Sequence, residues 1–304
     1  METLLVVGGS GLVGSKLATL GTAAYDVIGT YSSIQPKIEN VAFVELHKER
    51  VEDGPALVKK IKPAVVVDTA AFHNVDKCEE DRDLAWAVNA AATGSLAMAA
   101  TDVGARYLFV STDFVFDGAK GGYREDDVPR PVNFYGETKL AGERAVFEAS
   151  ANHLVVRPSV VYGWDECRLN FATWVLTSLR GKNPINVVTD WIGSPTLADE
   201  LAAGLLRLLK LPNGGLYHLA GTHAMSRYDF AIRLAKAFDL ETSMINPVTA
   251  VEFGAKARRP LDSSLVNVQA KRHGITVASA DVGIAKMKGQ RALESFVMPT
   301  RFKS

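Results

Sequence analysis

The stretch VVGGSGLVG, residues 6–14, decides the fold of this chain. Three of its glycines, Gly8, Gly11 and Gly14, follow a short apolar run and precede a helical pattern. Glycines at this spacing let the backbone turn tightly between a strand and a helix and approach a pyrophosphate at the helix N-terminus. Because the loop stands in the strand–turn–helix context that the motif requires, it predicts a dinucleotide site. The structural alternative is a glycine turn that only packs the helix on the strand.

Short apolar runs alternate with helical patterns in the first half of the chain. The runs with strand character are LLVV (4–7), YDVIGT (25–30), AVVVDTA (64–70), RYLFVST (106–112) and HLVVRPS (153–159). Runs rich in β-branched residues and separated by helices are typical of a parallel sheet covered on both faces. The pattern therefore predicts an α/β fold with a Rossmann-like, doubly wound parallel sheet.

The regular alternation of apolar runs and helical patterns ends at about residue 160. The helical patterns there are NFATWVLTSLRG (170–181), LADELAAGLLRLLKLPNGG (197–215) and SRYDFAIRLAKAF (226–238), with one short strand, GLYHLAG (215–221), among them. They predict a smaller C-terminal α/β lobe. We expect residues 1–160 to form an NAD(P)-binding domain, and residues 161–304 to form mainly a substrate-binding lobe that is interleaved with it.

The composition is that of a globular protein without a bulk charge. The chain has 304 residues, of which 47% are apolar and 22% charged, and its formal net charge is zero. Charge therefore gives no general attraction to nucleic acid or to an anionic membrane. From Ala250 onward ten Lys and Arg stand against four Asp and Glu, which could help hold an anionic ligand or only form a solvated surface. No apolar run approaches the roughly 18 residues of a membrane span.

The cysteines and histidines predict no metal site. Cys78 and Cys167 fit neither a disulfide framework nor a metal-ligand spacing, so reduced thiols in a cytoplasmic protein are expected. The histidines show no HxxxH or HxH spacing. The N-terminal METLLVVGGS, with its acidic second residue, reads as a buried strand rather than a signal peptide.

The end of the second predicted strand bears on the choice of cofactor. Sites for NAD commonly place an acid there for the ribose 2′-hydroxyl. Here no Asp or Glu lies between Asp26 and Glu39, whereas Ser32, Ser33 and Lys37 do. An acid would repel a 2′-phosphate and these side chains would not, so the sequence favours NADPH, with NADH as the alternative.

A tyrosine and a lysine stand four residues apart in FYGETKLAGE, residues 134–143. On a helix Tyr135 and Lys139 would share a face. Upstream, the strand before VSTDFVFDG (110–118) delivers Thr112 to the carboxyl edge of the sheet, where open α/β sheets bind their ligands. A hydroxyl, a phenol and an ammonium group together predict a catalytic site; a solvated helix with a chance Tyr/Lys pair is the alternative.

With these motifs the chain resembles the dTDP-4-dehydrorhamnose reductase family, in the extended branch of the short-chain dehydrogenase/reductases. That family also contains the regulatory β-subunit of methionine adenosyltransferase. The stretches that carry the resemblance are GGSGLVG, AAFHNVDKCEED, WAVNAAATGSLA, STDFVFDG, NFYGETKLAGE, DWIGSPTLADELA, GLYHLAG and RRPLDSSL, and they run through residues 8–265.

The resemblance implies a role for each matching residue. The catalytic residues would be Thr112, Tyr135 and Lys139. The cofactor would contact Gly8, Gly11, Leu12, Val13, Gly14, Tyr31, Ser32, Ala70, Ala71, Asn89, Tyr135 and Lys139. The substrate would contact Asp113, Phe114, Asn170, Trp191 and Arg259. For Asn89 and Arg259 a purely structural hydrogen bond is the alternative.

The implied chemistry agrees with these residue types. A keto sugar that accepts a hydride becomes an alkoxide and needs a proton. A free phenol has a pKa of roughly 10. A cation close by favours the phenolate, so we expect Lys139 to lower the pKa of Tyr135.

Four departures from the family pattern lie around the expected ligands. Phe114 stands where bacterial members often have tyrosine, and Val160 replaces a tryptophan. Trp191 and Ile192 alter the segment before GSPT, and an acid that meets adenine in relatives is replaced within the stretch LHK, 46–48. The reaction type is unaffected by these changes, but the exact substrate is left open.

The sequence thus predicts an NAD(P)H-dependent reductase of a nucleotide-linked 4-keto-6-deoxyhexose, with dTDP-4-dehydro-L-rhamnose as the first candidate. The first alternative is an NADP-binding regulatory subunit of the methionine adenosyltransferase type. Another sugar-nucleotide reductase or an epimerase comes next, and a dehydratase is disfavoured because Phe114 stands where that chemistry needs a glutamate. The expected partners are the nucleotide sugar and, as an open alternative, a second copy of the chain in a homodimer.

Overall fold

The computed structural model describes residues 1–165, 167–292 and 295–296. The strands in this part of the chain, β1 to β13, are Glu2–Val7, Tyr25–Tyr31, Val41–Glu45, Val65–Asp68, Arg106–Val110, Leu154–Arg157, Val161–Tyr162, Ile185–Val188, Ile192–Gly193, Thr196–Leu197, Gly215–His218, Met225–Ser226 and Ile245–Val248. The α-helices, α1 to α12, are Leu12–Gly21, Asp53–Ile61, Val75–Glu80, Arg82–Trp86, Ala92–Asp102, Phe134–Ala149, Phe171–Arg180, Ala198–Leu208, Arg227–Ala237, Ala250–Phe253, Val268–Arg272 and Ala280–Gln290. A π-helical turn spans Ala87–Ala91, and 3-10 turns span Asp113–Val115 and Thr242–Met244.

Seven strands form one parallel sheet in the order β3-β2-β1-β4-β5-β6-β11. The direction of winding reverses between β1 and β4. Doubly wound sheets bind their ligands at this switch point, outside the carboxyl ends of the strands. The predicted Rossmann-like fold is confirmed, and the edge strand β11 comes from the C-terminal half of the chain.

The apolar runs are continuous because helices cover both faces of the sheet. In β1, Leu4 and Val6 pack toward the face that carries α1 and α8, whereas Leu5 and Val7 pack toward α2, α5 and α6. All four side chains are at most 1% exposed. Burial on two sides leaves no position for a polar residue from Leu4 to Val7.

A second, smaller group of elements lies in the C-terminal half. Strand β8 pairs in parallel with β13, and β9 pairs antiparallel with β12. Helices α7, α9 and α12 enclose a separate apolar core that includes Leu176, Phe230 and Ile284. This is the predicted α/β lobe. The division into a cofactor domain, 1–160, and a mainly substrate-binding part, 161–304, stays a prediction, and residues 166, 293–294 and 297–304 lie outside the described residues.

Among the elements that differ from the sequence prediction are the π-helical turn and strand β3. The pattern DLAWAVNAAATGSLAMAATDVG (83–104) predicts one helix, but the π-helical turn separates α4 from α5. Strand β3 was not predicted. It is an edge strand of the sheet that pairs with β2, and all five of its residues are partly or fully exposed although four of them are apolar.

Within the described residues, no helix is long and apolar enough to cross a membrane.

Candidate active site

The glycine loop joins β1 to α1 at the switch point of the sheet. Gly8 has a φ of +83°, a left-handed conformation that favours glycine. A Cβ atom on Gly14 would collide with the carbonyl oxygen of Gly8, so the helix can approach the strand this closely only without a side chain there. The first N–H groups of a helix have no acceptor within the helix. Together with the missing side chains, they form a cradle that fits a pyrophosphate.

A series of contacts connects this loop to the helix that carries Tyr135. A Cβ atom on Gly8 would lie 2.9 Å from the Ala70 nitrogen, so the loop touches the segment after β4. Two residues further, the backbone of Phe72 exchanges two hydrogen bonds with the Asn89 amide, at 2.9 and 3.0 Å. Asn89 also donates to the Thr138 hydroxyl at 3.1 Å, next to Lys139.

The contacts of Asn89 give it a positioning task. Its side chain is fully buried in the π-helical turn, and its amide bonds to Phe72 and Thr138. The predicted cofactor contact of Asn89 stays a prediction. In the structure the amide holds the predicted cofactor segment, Ala70 and Ala71, at a fixed distance from α6.

Tyr135 lies in the first turn of α6, beside Thr112. Helix α6 begins where the Asn133 side chain accepts a hydrogen bond from the Gly136 N–H at 2.8 Å, so an N-cap places the phenol. The hydroxyl groups of Thr112 and Tyr135 lie close enough for the threonine to influence the pKa of the phenol. Phe114 packs edge-on against the tyrosine ring at 6.0 Å. The structure thus brings together the predicted hydroxyl and phenol.

Burial raises the pKa of Tyr135 above its ordinary value. The negative charge of Asp113 adds to the rise, whereas the nearby Thr112 hydroxyl opposes it. The expectation that Lys139 lowers this pKa is wrong in the structure. The phenol therefore carries its proton at neutral pH, which is the state that a proton donor needs.

Lys139 is buried beneath the site, with 1% of its surface exposed. Its ammonium group donates to the Val110 carbonyl at 2.7 Å and lies 3.9 Å from the centre of the Phe109 ring. Burial, together with the charge of the nearby Lys48, lowers the pKa of Lys139 to about 7. A positive charge on this buried lysine is therefore unfavourable in free energy unless a polar ligand binds beside it.

The buried Asp113 carboxylate is the common acceptor of three hydroxyl groups next to the site. It accepts hydrogen bonds from Ser159 at 2.8 Å, from Ser263 at 2.5 Å and from Thr112 at 3.2 Å. Burial raises the pKa of this carboxyl group. Ser263 comes from the C-terminal half, so the network ties that half to the catalytic edge. The predicted substrate contact of Asp113 stays a prediction.

An apolar cavity of about 420 Å³ opens beside these residues. Its lining includes Phe114 and Ser263, which contact the catalytic group, and Arg227. Val160 also lines it and has a φ of +46°, a strained conformation for a β-branched residue. The remaining lining residues are Val75, Phe171, Trp174, Asn186, Val187, Val188, Trp191, Ile192, Phe253, Arg259 and Pro260.

Three of the predicted substrate residues, Phe114, Trp191 and Arg259, line this cavity, whereas Asp113 and Asn170 do not. Arg259 lies 5.3 Å from the centre of the Trp191 ring, and both are in the wall. The Asn170 amide is used elsewhere: it caps α7 through the Thr173 N–H and donates to the Gly163 carbonyl at 2.7 Å. Its contact with a substrate stays a prediction that this geometry does not favour.

Lys48, the last residue of the stretch LHK, lies inside the protein. It is 7% exposed, and its ammonium group donates to Asp68 at 2.6 Å, to the Ala70 carbonyl at 3.0 Å and to Thr93 at 3.0 Å. The buried carboxylate at the end of β4 thus holds this lysine in the interior. The neighbouring His47 is partly exposed, and its Nε2 atom lies 2.9 Å from the Glu45 carboxylate.

Sequence reasoning missed Arg227, the first residue of α9. One signal could have revealed it. A cation in the first turn of a helix is unfavourable with the helix dipole, so its presence there calls for another purpose. Serine N-capping by Ser226 explained the start of the helix and drew attention away from the residue that follows.

Cys78 and Cys167 are not joined by a disulfide. Among the described residues no group of three His, Cys, Asp or Glu side chains could hold a metal ion.

Curated relatives cover nearly the whole chain. A dTDP-4-dehydrorhamnose reductase from Aggregatibacter actinomycetemcomitans is 30% identical over 97% of this chain and 98% of its own length. The spore coat polysaccharide biosynthesis protein SpsK of Bacillus subtilis (strain 168) is 34% identical over 90% of this chain and 93% of its own. Methionine adenosyltransferase 2 subunit beta of Xenopus tropicalis is 33% identical over 84% and 77%.

A solved structure shares the fold over almost the same length. It is the dTDP-4-dehydrorhamnose reductase of Bacillus anthracis str. Ames in complex with NADP. The TM-score is 0.84 and the sequence identity 28%, with 95% of this chain and 99% of that chain covered.

The family model described as the RmlD substrate binding domain matches residues 1–287. This match confirms the resemblance predicted from the glycine loop and from the tyrosine–lysine helix. The chain belongs to the dTDP-4-dehydrorhamnose reductase family of extended short-chain dehydrogenases/reductases.

Proposed function

We propose that this protein uses NADPH to reduce the 4-keto group of a nucleotide-linked 6-deoxyhexose in the cytoplasm. Membership of the family makes the chain an NAD(P)H-dependent oxidoreductase of the dTDP-4-dehydrorhamnose reductase type. One observation carries the choice of reaction. A protonated phenol and a threonine hydroxyl meet at the edge of the sheet, between the glycine cradle and an apolar cavity.

The side chains divide the work of a carbonyl reduction. Bound NADPH would supply the hydride. The hydroxyl groups of Thr112 and Tyr135 would hold the carbonyl oxygen, and the Tyr135 phenol would give its proton to the oxygen as negative charge develops there. Lys139 would bind the nicotinamide ribose of the cofactor, which is the contact that the resemblance implies. Asp113 orients the Thr112 hydroxyl by accepting its hydrogen bond at 3.2 Å.

The test is the oxidation of NADPH by purified protein. dTDP-4-dehydro-L-rhamnose, made in situ from dTDP-glucose by the preceding enzymes, should cause a loss of absorbance at 340 nm, and mass spectrometry should show a gain of two hydrogens. Other 4-keto-6-deoxy nucleotide sugars serve as parallel substrates, since the departures at Phe114 and Val160 leave the sugar open. The absence of NADPH oxidation with every one of these substrates would contradict the proposal. A changed rate of a methionine adenosyltransferase in the presence of the protein would then favour the regulatory alternative.

NADPH should bind more tightly than NADH. Tyr31 ends β2, and the exposed Ser32 and Lys37 follow without an acid among them. The nearest carboxylate by strand register is Glu45, opposite Tyr31, and His47 lies beside it at 2.9 Å. One exposed cation near a phosphate contributes up to about 1 kcal/mol, so we expect a preference of about two- to five-fold.

Fluorescence titration of both reduced cofactors measures this preference. Replacing Lys37 by Gln should reduce it and leave the affinity for NADH unchanged. Tighter binding of NADH than of NADPH would show that the loop from Tyr31 to Lys37 does not meet the 2′-position.

A further inference from the structure

The cavity beside Tyr135 has a catalytic end and a distal part. Phe114 contacts the tyrosine ring, and Ser263 donates to Asp113, so these two residues mark the catalytic end. The distal part includes the β8 residues Val187 and Val188 and the aromatic rings of Phe171, Trp174 and Phe253. A flat apolar ligand group would find its partners there.

The two arginines in the cavity wall differ in their partners. The Arg259 guanidinium makes two hydrogen bonds to Asp76, at 2.6 and 2.8 Å, and also donates to the Ala257 carbonyl. Its charge is thus already matched by a carboxylate. Among the described residues, by contrast, the Arg227 guanidinium has no hydrogen-bond acceptor and no ion-pair partner; its close contact is the Phe171 ring at 5.3 Å.

The charge nearest to Arg227 is not available to it. Asp113 lies close enough to influence the arginine electrostatically, but its Oδ2 atom already accepts from Ser159 and Ser263. Burial lowers the pKa of Arg227 to about 10. Arg227 is only partly buried, so water in the cavity can reach its guanidinium group, and a ligand that displaces this water has to supply an acceptor in its place.

We infer that Arg227 binds a phosphate oxygen of the substrate's diphosphate, between a sugar at Phe114 and a base against the distal aromatic side chains. The inference rests on the proposed function, since it assumes a nucleotide-linked substrate. Two features place the diphosphate at this arginine. Arg227 contacts Phe171 in the distal part and is electrostatically coupled to Asp113 at the catalytic end, so it lies between the two. Its planar group can hold two phosphate oxygens at once.

Calorimetric titration of the full-length protein with dTDP and with thymidine tests the assignment. A hydrogen bond to a charged group contributes about 1.5–3 kcal/mol, so Arg227→Gln should weaken dTDP binding about 10- to 100-fold. Thymidine lacks phosphate, and its affinity should stay within about threefold. Arg227→Lys should restore part of the dTDP affinity, because it keeps the charge and loses the planar fork.

A matched control lies on the same helix. Arg233 is about half exposed and paired with Asp281 at 2.7 Å, and it is not part of the cavity. Arg233→Gln should leave both affinities unchanged. Melting temperatures of all variants check the fold; if the glutamine variant does not fold, the lysine variant must still bind dTDP more weakly than the parent protein.

Two results would overturn the inference. The first is unchanged dTDP affinity in Arg227→Gln. The second is an equal loss for dTDP and thymidine, which would give the arginine a merely structural role. Binding of dTDP that depends on Arg227, in a protein without reductase activity, would contradict the proposed reaction and support this inference.

Discussion

Replacing Tyr135 by Phe should lower the reductase turnover number by about 10²- to 10⁴-fold, the range typical of a lost general acid. The variant lacks only the hydroxyl that would give its proton to the substrate oxygen. Its ring keeps the edge-on contact with Phe114, so the shape of the site should be preserved. Steady-state NADPH oxidation at saturating substrate measures the effect.

Cofactor affinity separates this role from a structural one. The phenol acts on the reacting oxygen, so Tyr135→Phe should bind NADPH within a few fold of the parent protein. Lys139→Ala should damage both turnover and cofactor binding, since it removes a cation that the resemblance places at the nicotinamide ribose. A tyrosine variant that loses turnover and NADPH affinity to the same extent would contradict proton donation by the phenol.

The parts of this site that the sequence could predict depend on local spacing. Gly8 and Gly14 belong to one turn, and their spacing by itself requires a close approach of strand and helix. Tyr135 and Lys139 are one helical turn apart, so the start of α6 fixes both positions. The strand end before Thr112 follows from an apolar run that stops. In each case the physical constraint acts between residues that are near one another along the chain.

The parts that could not be predicted depend on partners far away in the sequence. The edge strand β3 has an apolar run of only four residues, VAFV, and its pairing with β2 defines it as a strand. Arg227 becomes notable only when Arg259 is seen to be paired with Asp76 and Arg227 is not. The pKa of Tyr135 depends on the depth of burial, which the spacing to Lys139 does not reveal.

The buried position of Lys48 also depends on a partner far away in the sequence, and it leads to a prediction on stability. Its partner Asp68 lies 20 residues away, is 0% exposed, and also accepts a hydrogen bond from the Tyr107 hydroxyl at 2.7 Å. Lys48→Met should lower the free energy of unfolding by about 3–5 kcal/mol, because it leaves a buried carboxylate without its cation. Guanidinium-induced unfolding at pH 7, followed by fluorescence and circular dichroism, measures the loss.

A second substitution should recover most of this stability. In Lys48→Met with Asp68→Asn, the buried negative charge is gone, while the amide can still bond to the Tyr107 hydroxyl and the Ala70 N–H. Replacing a complete buried ion pair is often close to neutral, whereas removing one partner is not. The exposed pair of Lys59 and Asp102, 3.7 Å apart, is the control, and Lys59→Met should change stability by less than about 1 kcal/mol.

The double variant decides what the lysine contributes. If Lys48→Met costs no more than the exposed control, or if the double variant is as unstable as the single one, the ion pair is not what holds Lys48 inside the protein. If stability returns with Asp68→Asn, the unpaired buried charge is the cause of the lost stability. Lys48 would then also support the cofactor segment through its 3.0 Å hydrogen bond to the Ala70 carbonyl. Because Lys48 also helps to lower the pKa of Lys139, the NADPH affinity of the stable double variant then shows whether this support extends to the active site.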